Sequence, residues 1–379
     1  MVSTLHITSV HTLNDNRILH KECRSLLEAG FDVTLLGCAP EPQLTPDLAG
    51  VRIVTVPKPR RRIQRFLVTV PRLGLMAARS KADVCHLHDP ELLMIAPILK
   101  LSGKRVIYDV HENVPEQIRQ KTWIPSLLRG VAARAAQISE RASRFVVDCY
   151  VVANPSTMHR FPETHSVLVQ NLIRLEEFEG TDSTLPYCQR SNKVSYVGVI
   201  SPLRAAREMV QAIGRVDVDP PVELILGGPI FPPSLKADLE ELSGAERTSF
   251  VGWVHRTQVG ELLRSSRLGL SLAFAKQHEA NQSTKLFEYM ASGIPFVASD
   301  FPVWRTLFGD GNYGLLVNPR SVEEIATAIE RLLRHPQEAE EMGRRGRAEV
   351  EVRFNWQLEV PKLVGAYEMA LEKASLSPE

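Results

Sequence analysis

The sequence predicts an α/β chain of two doubly wound parallel-sheet domains, and three observations carry that prediction. Short apolar, β-branched runs alternate with helical patterns from the first residues onward. The rhythm breaks once after Asn171 and then restarts, and 379 residues is long for a single core.

Taken in order, the first half reads as strands at 5–10, 33–36, 51–56, 84–87, 106–109, 151–153 and 167–169. A helix at 17–29 follows the first strand and is stopped by Gly30. Residues of about 172 to 191 are polar and show no clear period, with Glu176, Glu177, Glu179 and Asp182 among them. This predicts a first domain at 1–172, a linker at 173–191 and a second domain at 192–355. The second domain carries strands at 194–199, 222–226, 249–251, 268–272, 296–298 and 315–317. After an Arg-Phe-Asn-Trp break at 353–356, residues 356–379 contain a last helix. Ligands of open α/β sheets bind beyond the carboxyl ends of the strands, so two such domains facing across a cleft would each supply half a site.

Composition narrows the function classes. With 44% hydrophobic and 23% charged residues and a net charge of +1, the chain has no global bias toward nucleic acid. Any electrostatic function must be local. The five cysteines lie far apart with no C-x-x-C pair, which suggests neither a zinc site nor a disulfide framework and points to a reducing, cytoplasmic setting. No signal peptide is visible, and no apolar run approaches the roughly 20 residues of a spanning helix.

The most informative stretch runs from Ser283 to Asp300. Ser283 reads as an N-cap, Leu286, Phe287 and Met290 form an apolar stripe, and Gly293 and Pro295 end the helix before a Phe-Val-Ala strand. First-turn amides without intrahelical partners suit an anion such as phosphate. Lys285 and Glu288 sit one turn apart, which also fits an ordinary surface pair.

Together with Asp15-Asn16-Arg17-Ile18-Leu19-His20-Lys21-Glu22, His86-Leu87-His88-Asp89-Pro90, Tyr108-Asp109-Val110-His111-Glu112-Asn113, Asn171, Tyr196-Val197-Gly198, Arg204 and Gly252-Trp253-Val254, this stretch resembles the retaining glycosyltransferases of family 4. That family has the two-domain GT-B fold, in which each domain is Rossmann-like and the last helix returns to the first domain. The resemblance implies transfer of a sugar from a nucleoside-diphosphate-sugar donor to an acceptor hydroxyl, with no metal or other cofactor. The second domain would hold the nucleotide and the first the acceptor. Glu288 matches the glutamate that accepts from the ribose hydroxyls, and a carboxylate offers two acceptors to a vicinal diol. Arg204 matches the cation on the donor diphosphate, near Gly198, with Ser283 and Thr284 at the helix start. The companion cation falls at Val199, and Lys285 is the replacement the sequence offers. The family's second glutamate falls at Ala280, so either Glu279 or Asn281 takes that contact, or the sugar is read differently. His111 matches a histidine that orients the donor sugar. His88 and Glu112 lie at similar strand ends and are acceptor candidates; Asp15 is one as well, or caps the next helix.

Two other patterns are weaker. Gly309-Asp310-Gly311-Asn312-Tyr313-Gly314 fits a dinucleotide fingerprint but follows a helix and precedes a strand, the wrong context. His86 and His88 share a strand face, yet sequence places no third metal ligand. Between Gly50 and Ala82 there are nine basic residues and no acidic one. With Ile63, Phe66, Leu67 and Val70 at helical spacing, Arg60, Arg61, Arg62 and Arg65 would suit an anionic membrane surface; alternatively the apolar stripe packs on the sheet. One aromatic residue in the segment argues against nucleic acid. Rival readings are an epimerase or hydrolase acting on the same nucleotide-sugar, and a relative that binds nucleotide without turnover.

Overall fold

The computed structural model describes residues 1–39, 50–120, 124–179, 186–274 and 283–372. The chain divides into two compact units, Met1–Asn171 with Trp356–Glu379, and Leu172–Asn355.

The first unit is built on a seven-stranded parallel sheet in the order β3-β2-β1-β4-β5-β6-β7. Its strands are β1 (Ser3–Ile7), β2 (Asp32–Ala39), β3 (Arg52–Pro57), β4 (Val84–Leu87), β5 (Arg105–Val110), β6 (Cys149–Val152) and β7 (Ser166–Leu168). The central strands β4 and β6 are buried along their whole length and β5 at all but its first residue, as expected of parallel strands covered on both faces. One face packs Leu5, Leu87, Tyr108 and Tyr150 against the helices Val70–Arg79 and Ala96–Leu101. The other packs Val84, Ile107 and Val151 under Leu363, Ala366 and Tyr367 of the closing helix Val360–Glu372. That helix is pinned by the Trp356 indole, which donates to Ser25 Oγ at 2.8 Å, and by Glu359, which accepts from the Gln170 amide at 2.9 Å. The expected first helix begins as a π-helical turn, Ile18–Cys23, before the α-helix Arg24–Glu28.

The second unit has six parallel strands in the order β10-β9-β8-β11-β12-β13. They are β8 (Lys193–Val197), β9 (Glu223–Gly227), β10 (Thr248–Gly252), β11 (Leu268–Ser271), β12 (Phe296–Ser299) and β13 (Gly314–Val317). The described parts of the polar stretch expected as a linker, 173–179 and 186–191, pack into this unit. Ile173 bridges Asn355, Phe178 and Tyr187 are buried in the core, and Glu177 pairs with Arg256. Their apolar residues are too sparse to show a period, although two aromatic anchors suffice to fix the segment.

In each sheet the strand order reverses once, between β1 and β4 and between β8 and β11. Those switch points, at the carboxyl ends, are where an open sheet leaves room for a ligand. No helix among the described residues is long and apolar enough to cross a membrane.

Candidate functional site

The register of the first sheet brings the chemistry of three strands to one rim. His6 pairs with His86, and Leu87 with Tyr108, so Thr8 and Ser9, His88 and Asp89, and Asp109 to His111 arrive together. Asp109 is fully buried and accepts from Arg17 Nε at 3.1 Å and Nη2 at 3.0 Å, with His88 Nδ1 at 3.2 Å. Arg17 also pairs with Glu22 at 2.8 Å. Burial opposes charge on Asp109, yet Arg17 and the neighbouring histidines hold its carboxyl well below the usual range. Burial and the Asp109 charge push Glu22 the other way. One guanidinium thus faces two carboxylates driven apart, Asp109 toward the charged form and Glu22 toward the neutral one.

The network continues inward. His88 Nε2 lies 2.9 Å from His6 Nδ1, His6 Nε2 lies 3.0 Å from the Tyr367 hydroxyl, and that hydroxyl lies 2.8 Å from His86 Nδ1. Burial lowers the pKa of His6 and His86 and keeps both imidazoles neutral. His6 and Glu22 also bring donor atoms within 4.8 Å of those of His86 and His88, and His88, Asp109 and His111 form a similar group. The third ligand missing from the sequence is therefore supplied by the fold, but an ion would have to exchange the hydrogen bonds just described for metal bonds.

A cavity of about 530 Å³ opens on this rim, lined by His11, Arg17, His88, Asp109, His111 and Glu112 among others. His111 Nε2 lies 3.1 Å from Asp109 Oδ2 without an aligned hydrogen bond. Burial, helped by Arg17, His88 and His11 against Asp109, lowers its pKa to about 4, so the ring is neutral at pH 7. His11 stacks on it with centroids 4.8 Å apart. Burial disfavours charge on His11 too, but the 2.9 Å contact with Asp89 outweighs it and raises the pKa to about 9. Asp89 is fixed in turn by the Thr8 hydroxyl and the amides of Ser9 and Val10.

Of the expected first-unit residues, His111 and Glu112 line the cavity, and His88 is 1% exposed and serves mainly to join His6 to Asp109. Asp15 takes the capping alternative: its carboxylate accepts from the amides of Arg17 at 2.9 Å and Ile18 at 3.1 Å.

In the second unit, β8 ends at Gly198, where the backbone has φ +147° and a Cβ would lie 2.6 Å from Lys285 Cε. Gly228 lies against the Gly198 carbonyl so closely that a Cβ would fall 2.0 Å from its oxygen. The two glycines let the Lys285 side chain lie along the strand end, over the Tyr196 ring at 5.5 Å. Tyr196 donates to the Val199 carbonyl at 2.7 Å and so sets the loop that leads to Arg204, the last residue of the 3-10 turn Pro202–Arg204. Burial, followed by the nearby Arg204 charge, lowers the Lys285 pKa to about 8 against the pull of Glu288. Neither cation makes an ion pair with a described residue. Gly198, Arg204 and Lys285 are therefore brought together as expected.

Glu288 is buried on the helix Thr284–Ala291, and its Oε1 pairs with Arg256 Nη1 at 2.5 Å. Arg256 also bonds Glu177 at 2.5 Å and lies over Phe178 at 5.2 Å. Sequence reasoning missed Arg256 and Glu177, because the pairing joins residues 79 positions apart and neither stands in a local pattern. Ser283 has the extended backbone of an N-cap, but its hydroxyl lies 3.3 Å from the Ser271 hydroxyl and does not cap the helix. The first-turn amides, Thr284 included, are left open by that side chain. Glu279 and Asn281 lie outside the described residues.

Comparisons with known proteins converge on this arrangement. A glycosyl transferase 4-like domain matches residues 16–171, and a glycosyl transferase-like domain matches residues 204–364, so the two account for most of the chain in the expected order. The chain belongs to the group 1, or family 4, glycosyltransferases. Sucrose-phosphate synthase from Thermosynechococcus elongatus superimposes with a TM-score of 0.77 at 18% identity, over 98% of this chain and 100% of that one. An Anabaena protein, HepE, crystallised with UDP and glucose, reaches 0.74 at 13% identity, over 97% of this chain and 100% of its own. The fold is GT-B, two Rossmann-like parallel-sheet units. Among curated relatives, the D-inositol 3-phosphate glycosyltransferase of Gordonia bronchialis is 27% identical over 49% of this chain and 42% of its own length. The chain spans about half the length of the curated relatives it matches.

Proposed function

We propose that the protein transfers a sugar from a nucleoside-diphosphate-sugar to an acceptor hydroxyl, with retention of anomeric configuration and without a metal. The observation that carries this reading is the pair Arg204 and Lys285, two cations without ion-pair partners among the described residues, beside Gly198 and one turn from Glu288. Such a pair suits a diphosphate, whose charge grows as the sugar leaves, and fixed positive charge at that point lowers the barrier. Glu288 would accept from the ribose hydroxyls, and Arg256 would hold the carboxylate in place. In the first unit, neutral His111 is suited to hydrogen-bonding a sugar hydroxyl, with Asp109 behind it as a positioning residue. The cavity beside it, with Glu112, would take the acceptor. Glu279 or Asn281 would complete the reading of the donor sugar.

Assembly of surface polysaccharide or glycolipid in the cytoplasm is the setting that best fits this reading. Peripheral attachment to an anionic membrane surface through Arg60, Arg61, Arg62 and Arg65 belongs to it, with Arg65 held by Glu91 at 2.9 Å.

The test is a thermal-shift and turnover screen with UDP-, GDP- and ADP-sugars, without added metal, beside Glu288→Ala. One nucleotide class should stabilise the wild type, stabilisation should fall at least tenfold in apparent affinity in the variant, and slow sugar release should accompany binding. If no nucleotide-sugar shifts the melting temperature, the donor-site reading is wrong; binding without any turnover, with acceptor present, would leave a nucleotide-binding relative.

A further inference from the structure

The helix Ser126–Ser143 is turned the wrong way round for a solvent-facing helix. A surface helix normally buries its large apolar side chains and shows polar ones to water. Here the residues buried against the first unit are Ala133, Glu140 and Ser143, with Glu140 held by Arg160 and Ser143 bonded to the Tyr150 hydroxyl. The large apolar residues point outward: Leu127 is 90% exposed, Val131 68%, Ile138 58%, and Phe145, two residues past the helix end, 83%. These positions recur every seven or four residues, and Arg134 and Arg141 fall between them at helical spacing. One face thus reads Leu127, Val131, Arg134, Ile138, Arg141, Phe145. Arg134, Arg141 and neighbouring Arg144 make no ion pair with a described residue.

We propose that this face is a docking surface for an anionic lipid monolayer, lying in the plane of the interface. Apolar side chains alternating with arginines are what the boundary between headgroups and acyl chains accommodates, since the guanidinium can reach outward while its stem stays in apolar surroundings. Charge selects among possible occupants. A second copy of the helix would bring its own arginines against Arg134 and Arg141, whereas a lipid surface of negative charge complements them. The face has no acidic residue to oppose such a surface, because the one carboxylate of the helix, Glu140, is buried and paired.

A second element carries side chains of the same kind. Ile63 is 61% exposed and Leu67 69%, beside Arg60, Arg61 and Arg62. The ion pair from Arg65 to Glu91 ties this segment to the turn Pro90–Met94, which packs on the helix Ser126–Ser143. Of the apolar stripe expected to pack on the sheet, only Val70 is buried. The inference extends the peripheral attachment suggested above to a longer element. It does not depend on sugar transfer, so the donor screen and the vesicle test fail independently.

The experiment is co-sedimentation of the full chain with vesicles of phosphatidylcholine alone or mixed with phosphatidylglycerol, at low and high salt. The wild type should pellet with the mixed vesicles, not with the neutral ones, and less at high salt. Val131→Asp with Ile138→Asp, and separately Arg134→Glu with Arg141→Glu, should each lower the partition coefficient at least tenfold. Circular dichroism and nucleotide binding should stay unchanged, because the substituted side chains face water. Wild-type protein that stays in the supernatant with anionic vesicles, or double variants that bind as well as wild type, would overturn the proposal. So would light scattering that shows a dimer lost in the aspartate variant, which would make the face a contact between copies.

Discussion

In the first unit Arg17 is enclosed by Asp109 and Glu22, while in the second Arg204 and Lys285 stand beside a strand end with no carboxylate in ion-pair reach among the described residues. The first arrangement is paired without a ligand: Arg17 has Asp109, His11 has Asp89, and the neutral His6 and His86 lie further in. The second, among the described residues, leaves Arg204 and Lys285 without an ion-pair partner. Paired buried charges hold a shape, whereas unpaired ones hold an affinity. Removing a group should therefore cost stability in the first unit and binding in the second.

The largest expected effect tests that contrast directly. Asp109→Ala leaves Arg17 buried with a weaker partner, and losing one member of a fully buried pair costs about 3–5 kcal/mol. Hydrogen exchange of the β4 and β5 amides in the full chain measures it, because those strands lie next to the lost carboxylate. Lys285→Met removes a buried cation that had no ion-pair partner among the described residues, and should leave the exchange of β8 and β11 unchanged or slower. Equal losses in the two units would break the comparison.

A smaller effect is expected on binding. A charge-assisted hydrogen bond contributes about 1.5–3 kcal/mol, so Arg204→Ala and Lys285→Met should each weaken binding of the nucleoside diphosphate that the screen selects by roughly 10- to 100-fold in titration calorimetry. The two variants should differ in pH dependence. With its pKa lowered to about 8, Lys285 is charged below that pH and neutral above it, so wild-type affinity should fall as pH rises through 8. Lys285→Met should flatten the profile, and Arg204→Ala should keep the fall but move it to higher pH, because the Arg204 charge helps to lower the Lys285 pKa. A profile unchanged by Lys285→Met would remove Lys285 from the phosphate site.

The same contrast explains what could be read from the sequence. The second-unit site is built from short-range pattern: Gly198 ends one strand, Arg204 follows six positions later, and Lys285 and Glu288 share one helix. Its long-range member, Arg256, was missed. The first-unit site joins Arg17, Glu22, His6, His86, Asp109 and Tyr367 across up to 361 positions, and no single segment reveals which carboxylate meets which cation. The thirteen strands among the described residues were legible because each carries a short apolar run. The stretch after Asn171 was not, because Phe178 and Tyr187 anchor it through two side chains without a periodic pattern.

The smallest effect lies at the edge of the paired cluster and sharpens the comparison most finely. His11 has its pKa raised from 6.5 to about 9 in the folded chain, with Asp89 as the cause that overcomes burial. Its stabilising contribution is then fully present below pH 6.5 and is lost as pH rises through 9. The ring is 31% exposed, so solvent screening cuts the effect to on the order of 1 kcal/mol. His11→Asn should lower stability by that amount at pH 6 and reduce the slope between pH 6.5 and 8, below the titration of Lys285, seen as thermal melts that depend less on pH there. Asp89 keeps its bonds from Thr8, Ser9 and Val10, so the rim should not collapse with the loss. If the slope survives in the variant, the titrating group lies elsewhere, and the first unit's charges are less completely paired than its geometry implies.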